Sequence, residues 1–181
     1  TMIDATRFAS KTSDNTLRDS FGVVSLHRYE NIFNEARLKS LINKIIEISD
    51  RNRLVFVMHP PTEERLRETG LLNKVEKCPN IETTPRMGYL NFVKLLSRAQ
   101  FLVTDGGSNQ EESSYLGVPC LVMRKTTERL EGIGENVVLS NYNDEVIANF
   151  FENLESLRRQ PNLPQASPSE RIVSHLASFH D

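Results

Sequence analysis

The residues able to do chemistry gather at the ends of short apolar runs. The run Phe101–Thr104 (FLVT) breaks at Asp105-Gly106-Gly107-Ser108, and the polar segment Asn109 to Tyr115 follows. Gly117 ends that segment, and Val118 to Met123 is apolar again. Strand, glycine turn, helix and strand make the βαβ unit of a parallel sheet. Its turn lies at the carboxyl end of a strand and the amino end of a helix, where free N–H groups and the helix dipole favour an anion. Glycines there let a phosphate approach the backbone. A turn that only connects two elements would read the same. Glu111 and Glu112 stand in the first turn of the helix, where the dipole favours acids anyway, so capping is the default reading for both. His27 and Arg28 directly follow the run FGVVSL, and His59 directly follows LVFVM. His-Arg-Tyr-Glu-Asn is an odd way to start a structural turn, which favours chemistry for His27. Pro60-Pro61 after His59 favour a plain strand end. Arg86 and the group Arg124, Lys125 and Arg129 complete the set, the latter reading equally as a solvated basic loop. Together these residues suit a phosphorylated ligand carrying a sugar or ribose.

The elements that must position them follow from pattern. Residues 1–20 are mixed and polar and read as a linker or a loose helix. Phe21–Leu26 is a buried strand. Asn31 or Asn34 caps the next helix, whose stripe Leu38, Leu41, Ile42, Ile45, Ile46 and Ile48 has helical spacing. Leu54–Met58 is apolar without alternation, as parallel strands are. Thr62 is placed to cap a helix Glu63–Thr69 that Gly70 ends. A short strand, Ile81–Thr83, precedes a helix Leu90–Arg98 with Leu90, Val93, Leu95 and Leu96 partly inward. Thr126–Glu135 is a charged loop and Val137–Leu139 a last strand. Asp144–Leu157 is an amphipathic helix, and Ser169 begins a terminal one carrying Ile172, Val173 and Leu176. About six strands alternating with helices argue for an α/β fold, a doubly wound parallel sheet covered on both faces. If the strands are parallel, every candidate above lies on one edge.

Composition narrows the partners. The chain has 181 residues, enough for one α/β domain, with 22 basic and 24 acidic residues and a formal net charge of −2. No long run has one sign, so neither nucleic acid nor a membrane is expected as a partner. Cys78 and Cys120 form no disulfide framework and no metal spacing, which fits a reduced, cytoplasmic setting. No apolar run approaches the roughly 20 residues that span a bilayer, and no signal peptide is evident. No metal constellation is visible and no cofactor is implied.

The string TDGGSNQEESSYLGVPCLVMRKTTERLEG resembles the signature of UDP-N-acetylglucosamine 2-epimerases, in which an aspartate, a serine and two glycines precede a Gln-Glu-Glu helix, then Leu-Gly-x-Pro, a strand and Thr-Glu-Arg. SLHRYEN is similar to the family's Thr-x-His-Arg-x-Glu-Asn stretch, and His59-Pro60 to its His-Pro motif. The resemblance runs from Phe21 to Leu157. It implies a Rossmann-like domain, residues 21–181, as the carboxyl-terminal, nucleotide-holding half of a GT-B architecture. It implies that Gly106, Gly107 and Ser108 cradle a diphosphate and that Glu112 accepts the ribose hydroxyls. His27 would serve departure and return of the diphosphate, with Arg28 beside it. Phe92 would lie near the family's uracil-stacking aromatic, among the UDP-binding residues, and Arg129 would lie in a loop closing over the nucleotide. The chain also departs from the pattern. The usual order Asp-Ser-Gly-Gly is here Asp105-Gly106-Gly107-Ser108, and Leu130 stands where proline is common.

The resemblance further implies interconversion of UDP-GlcNAc and UDP-ManNAc by elimination of UDP to a glycal and re-addition on the other face. The acid–base carboxylates of that step lie mainly in an amino-terminal domain, which about twenty residues cannot form. The chain is therefore expected to bind a UDP-sugar, to lack turnover alone, and to need that missing domain. The full-length parent is expected to be a homodimer. A hydrolysing relative, a GT-B glycosyltransferase half and a non-catalytic nucleotide-binding module remain open alternatives.

Overall fold

The computed structural model describes residues 2–11, 20–164 and 166–178. Chain order is α1 (Met2–Lys11), β1 (Phe21–Ser25), α2 (Tyr29–Ile32), α3 (Glu35–Ser49), β2 (Arg53–Met58), α4 (Pro60–Glu68), α5 (Leu72–Glu76), β3 (Ile81–Pro85) and α6 (Tyr89–Arg98). It continues with β4 (Phe101–Thr104), α7 (Gly107–Leu116), β5 (Cys120–Val122), β6 (Val137–Leu139), α8 (Asp144–Glu152), α9 (Leu154–Leu157) and α10 (Pro168–Ala177). The six strands form one sheet in the order β3-β2-β1-β4-β5-β6, and each neighbouring pair is parallel. This is the doubly wound sheet that the alternating pattern predicts.

The order reverses between β1 and β4. Open α/β sheets leave a crevice there, outside the carboxyl ends of the strands. Ser25 is in register with Thr104, so the residues that follow each strand leave the sheet side by side. The strand interiors are apolar because both faces are covered. Val24, Phe56, Phe101 and Val103 pack towards Leu38, Ile42 and Ile45 of α3 and Ile147 and Phe150 of α8. Val23, Val55, Val57 and Leu102 pack on the other face with Phe92, Val93 and Leu96 of α6.

Several local readings change. Asn34 is the cap of α3, accepting from the Arg37 amide at 3.0 Å, while Asn31 is fully buried and used elsewhere. Helix α4 starts three residues early at Pro60, because proline has no N–H to lose in a first turn. Thr62 therefore sits inside α4 and donates to the Leu26 carbonyl rather than capping. Helix α6 turns Phe92, Val93 and Leu96 inward and leaves Leu90 41% exposed. The Asp144–Leu157 helix breaks at Asn153 into α8 and α9, and α5 had no clear signal in its five residues. Ser167 rather than Ser169 caps α10, accepting from the Glu170 amide. Helix α1 is docked: Thr6 is fully buried and shares a hydrogen bond with the Tyr89 hydroxyl at 2.9 Å. Residues 12–19 of the expected linker lie outside the described residues.

Candidate functional site

Asp105 organises the crevice. It is fully buried at the end of β4, and its Oδ1 accepts from the His27 amide at 2.9 Å. Its Oδ2 accepts from the Arg28 amide at 3.0 Å and from Asn31 Nδ2 at 2.9 Å. Three N–H donors satisfy one desolvated carboxylate and lock the loop after β1 to the loop after β4. Asn31 is itself held: Nδ2 also donates to the Met123 carbonyl at 3.1 Å, and Oδ1 accepts from the Tyr142 hydroxyl at 2.7 Å. Asn141 and Tyr142 both adopt positive φ, 52° and 56°, a strained backbone at this same edge.

That lock places His27 over the glycine turn. Its Nδ1 lies 3.6 Å from Asp105 Oδ1, and its ring stacks on His59 with centroids 4.3 Å apart and 21° between planes. His59 Nε2 is 3.4 Å from Ser25 Oγ. The prolines after His59 begin a helix rather than turn the chain away, so His59 joins the site against the sequence expectation. Burial, helped by His27 and Arg86, pushes the His59 imidazole down to about 4, so it is neutral at physiological pH. A Cβ on Gly106 would stand 2.6 Å from His27 Cε1 and 2.7 Å from Asn109 Oδ1. The missing side chain is thus a condition of the histidine's position.

The amino end of α7 faces the same crevice. The first intrahelical bond runs from the Gln110 amide to the Gly106 carbonyl, so the Gly107, Ser108 and Asn109 amides have no acceptor within the helix. The Ser108 side chain is exposed there. Thr104 Oγ1 shapes the turn by accepting from the Gly106 amide at 3.0 Å and lying 3.3 Å from Asn109 Oδ1.

Glu111 and Glu112 do not cap, because α7 begins at Gly107 and both lie one turn deeper, at 6% and 2% exposure. Arg129 Nη1 donates to Glu111 Oε2 at 2.9 Å. Glu112 accepts from Asn109 Nδ2 at 3.2 Å. Burial pushes its carboxyl up to about 7, with the Asn109 bond pulling it down and Glu111 adding to the rise. Gln110 staples the following loop: Nε2 donates to the Arg129 and Glu131 carbonyls, and Oε1 accepts from Thr127 Oγ1 at 2.8 Å. That loop is no free basic flank. Arg124 is 8% exposed, bonded to Glu128 at 2.8 Å and 3.3 Å from Glu30, while Arg28 pairs with Glu30 and Glu128 at 3.4 and 3.7 Å.

His27, Arg28, Gly106, Gly107, Ser108, Glu112 and Arg129 are thus gathered at one crevice. Phe92 is set on the inward face of α6 at 8% exposure and packs into the core on that side of the sheet, so burial leaves little of its ring for the stacking expected of it. Asn31 and Gln110 were legible only as a possible cap and as part of a motif. Their burial and bonding partners come from distant segments.

A doubly wound sheet whose switch point combines a helix amino end, arginines, a histidine and a buried carboxylate defines a nucleotide-binding Rossmann-like domain, the type found in each half of a GT-B protein. The particular family follows from comparison. Residues 1–177 match the family model of UDP-N-acetylglucosamine 2-epimerase, and the chain belongs to that family. It is 35% identical over 161 residues to the UDP-N-acetylglucosamine 2-epimerase of Methanocaldococcus jannaschii, a match covering 86% of this chain and 44% of the relative. The corresponding Methanococcus maripaludis enzyme is also 35% identical over 161 residues, covering 87% and 43%. The solved structure of the M. jannaschii epimerase in complex with UDP-GlcNAc and UDP superposes with a TM-score of 0.81 at 33% identity, covering 98% of this chain and 53% of that one. The chain spans about half the length of the relatives it matches. Among the described residues no helix is long and apolar enough to cross a membrane.

Proposed function

We propose that residues 21–181 are the UDP-holding half of a UDP-N-acetylglucosamine 2-epimerase that interconverts UDP-GlcNAc and UDP-ManNAc. The observation that carries this is the meeting of His27, the free amides of α7 and the buried Glu112 at one switch point. The match to a relative solved with UDP-GlcNAc and UDP supports the choice of ligand.

Chemically, the diphosphate sits at the Gly106-Gly107-Ser108 turn, where the amides and helix dipole meet negative charge without a side chain in the way. Glu112 accepts the two ribose hydroxyls as its carboxylate. Phe92 lies near the uracil, and Arg28 and Arg129 flank the nucleotide. His27, fixed by its backbone bond to Asp105, stands beside the diphosphate and stabilises UDP as it leaves C2-deprotonated sugar and returns to the glycal. The carboxylates that exchange the C2 proton belong to the other half of the parent, so this chain binds UDP without turnover. We assign the parent to the cytoplasm as a homodimer. Calorimetric titration of the chain with UDP tests the reading. Saturable binding at or below millimolar ligand is expected, and absence of heat at millimolar UDP refutes it.

A further inference from the structure

The loop after β5 lays one carboxylate across the amino end of α7. Glu128 Oε1 lies 2.8 Å from where a Cβ on Gly107 would stand, closer than any other atom. Both of its oxygens face arginines. Oε2 accepts from Arg124 Nη1 at 2.8 Å, and Oε1 is 3.7 Å from Arg28 Nη1. A helix amino end flanked by two guanidinium groups is an environment for an anion, and here the protein supplies the anion itself. Nothing in the core depends on this placement. The Glu128 side chain is 54% exposed, and Gln110 holds the loop backbone through the carbonyls of Arg129 and Glu131. The side chain can swing out while the loop stays. Glu30 supplies a contrast: it approaches the same Arg28 and Arg124 at 3.4 and 3.3 Å, yet it is not among the atoms crowding Gly107.

We propose that Glu128 is a stand-in anion that lies at the phosphate position before a nucleotide binds, holds Arg28 and Arg124 in place, and is displaced by the diphosphate of the incoming nucleotide. The inference rests on the UDP reading above and adds a regulation to it. A ligand must replace one negative charge held by two arginines and a helix end. A diphosphate exceeds that charge, whereas a single carboxylate or chloride only equals it. The site is thereby closed to common small anions and open to nucleoside diphosphates. The Arg124 hydrogen bond also holds the Glu128 carboxyl below its usual range, so the stand-in remains charged at neutral pH.

The test is calorimetric titration of wild type, Glu128→Gln and Glu30→Gln with UDP and with inorganic pyrophosphate, with thermal melts to verify that each variant is folded. Losing the competing charge of an exposed pair is expected to tighten both ligands about two- to five-fold in Glu128→Gln. Glu30→Gln, which leaves the phosphate position filled, is expected to show no gain. If wild type binds UDP and Glu128→Gln binds no tighter, the stand-in is refuted and the UDP reading survives. If Glu30→Gln tightens equally, the effect is general charge and the stand-in is again refuted. If only Glu128→Gln binds, both ideas are supported; if no variant binds either ligand, both fall.

Discussion

Replacing Glu112 by glutamine is expected to move stability and affinity in opposite directions. Glu112 is 2% exposed, and burial pushes its carboxyl from 4.5 to about 7. At 1.36 kcal/mol per pH unit, that displacement corresponds to about 3 kcal/mol. The folded chain holds this proton more tightly than the unfolded chain does. The contribution to stability is therefore full below pH 4.5 and is lost as pH rises through about 7. Above that, the native state carries a buried carboxylate with one bond from Asn109. Glutamine has nearly the same shape and never ionises. Glu112→Gln should thus gain up to about 3 kcal/mol at pH 8 and almost nothing at pH 4.5. For a chain of this size 1 kcal/mol is roughly 2–4 °C, so the melting temperature should rise by about 6–12 °C at pH 8. The same change removes a charged acceptor for the ribose. That is worth about 1.5–3 kcal/mol, or roughly a 10- to 150-fold loss of UDP affinity. Paired melts at the two pH values and calorimetry with UDP read both effects. A variant that is less stable than wild type at pH 8, or equally stabilised at both pH values, would refute the burial argument. Unchanged UDP affinity would remove Glu112 from the site.

Gly106→Ala tests how His27 is seated. A Cβ 2.6 Å from Cε1 is far inside the roughly 3.5–4 Å of carbon contact, so overpacking of about 1–3 kcal/mol and weaker UDP binding are expected in denaturant melts and titrations; an unchanged melt and affinity would show that the ring has room to move. His59→Asn tests the buried imidazole. His59 is pushed down to about 4, whereas an unfolded histidine takes its proton near 6.5. Its contribution is therefore full above pH 6.5 and lost as pH falls through about 4. The variant's melting temperature should fall less steeply over that interval, and equal slopes for variant and wild type would refute the assignment.

Much of the fold was legible because strand and helix periods are local properties of the chain. The unbroken apolar runs FGVVS, LVFVM and FLVT, and the stripe from Leu38 to Ile48, admit few alternatives to buried parallel strands and a covering helix. The errors fell where local signals compete. Thr62 looked like a cap, but proline suits a first helical turn, and the buried carbonyl of Leu26 needed a donor. Residues Leu90 to Leu96 have two apolar faces, and only the position of the sheet selects Phe92 over Leu90.

By itself the sequence determined the alternation of strands and helices, the placing of a histidine and a glycine turn at strand ends, and two glutamates in the helix that follows the turn. Those are matters of residue type and spacing along a chain. The tertiary structure alone decided what these groups face. Asp105 bonds residues 74 to 78 positions away, His59 joins His27 by stacking, Gln110 holds a loop from across the helix, and Glu128 comes to lie before Gly107. Burial and charge pairing depend on distances between segments, and the β1–β4 register brings those segments together without leaving a mark in any local pattern.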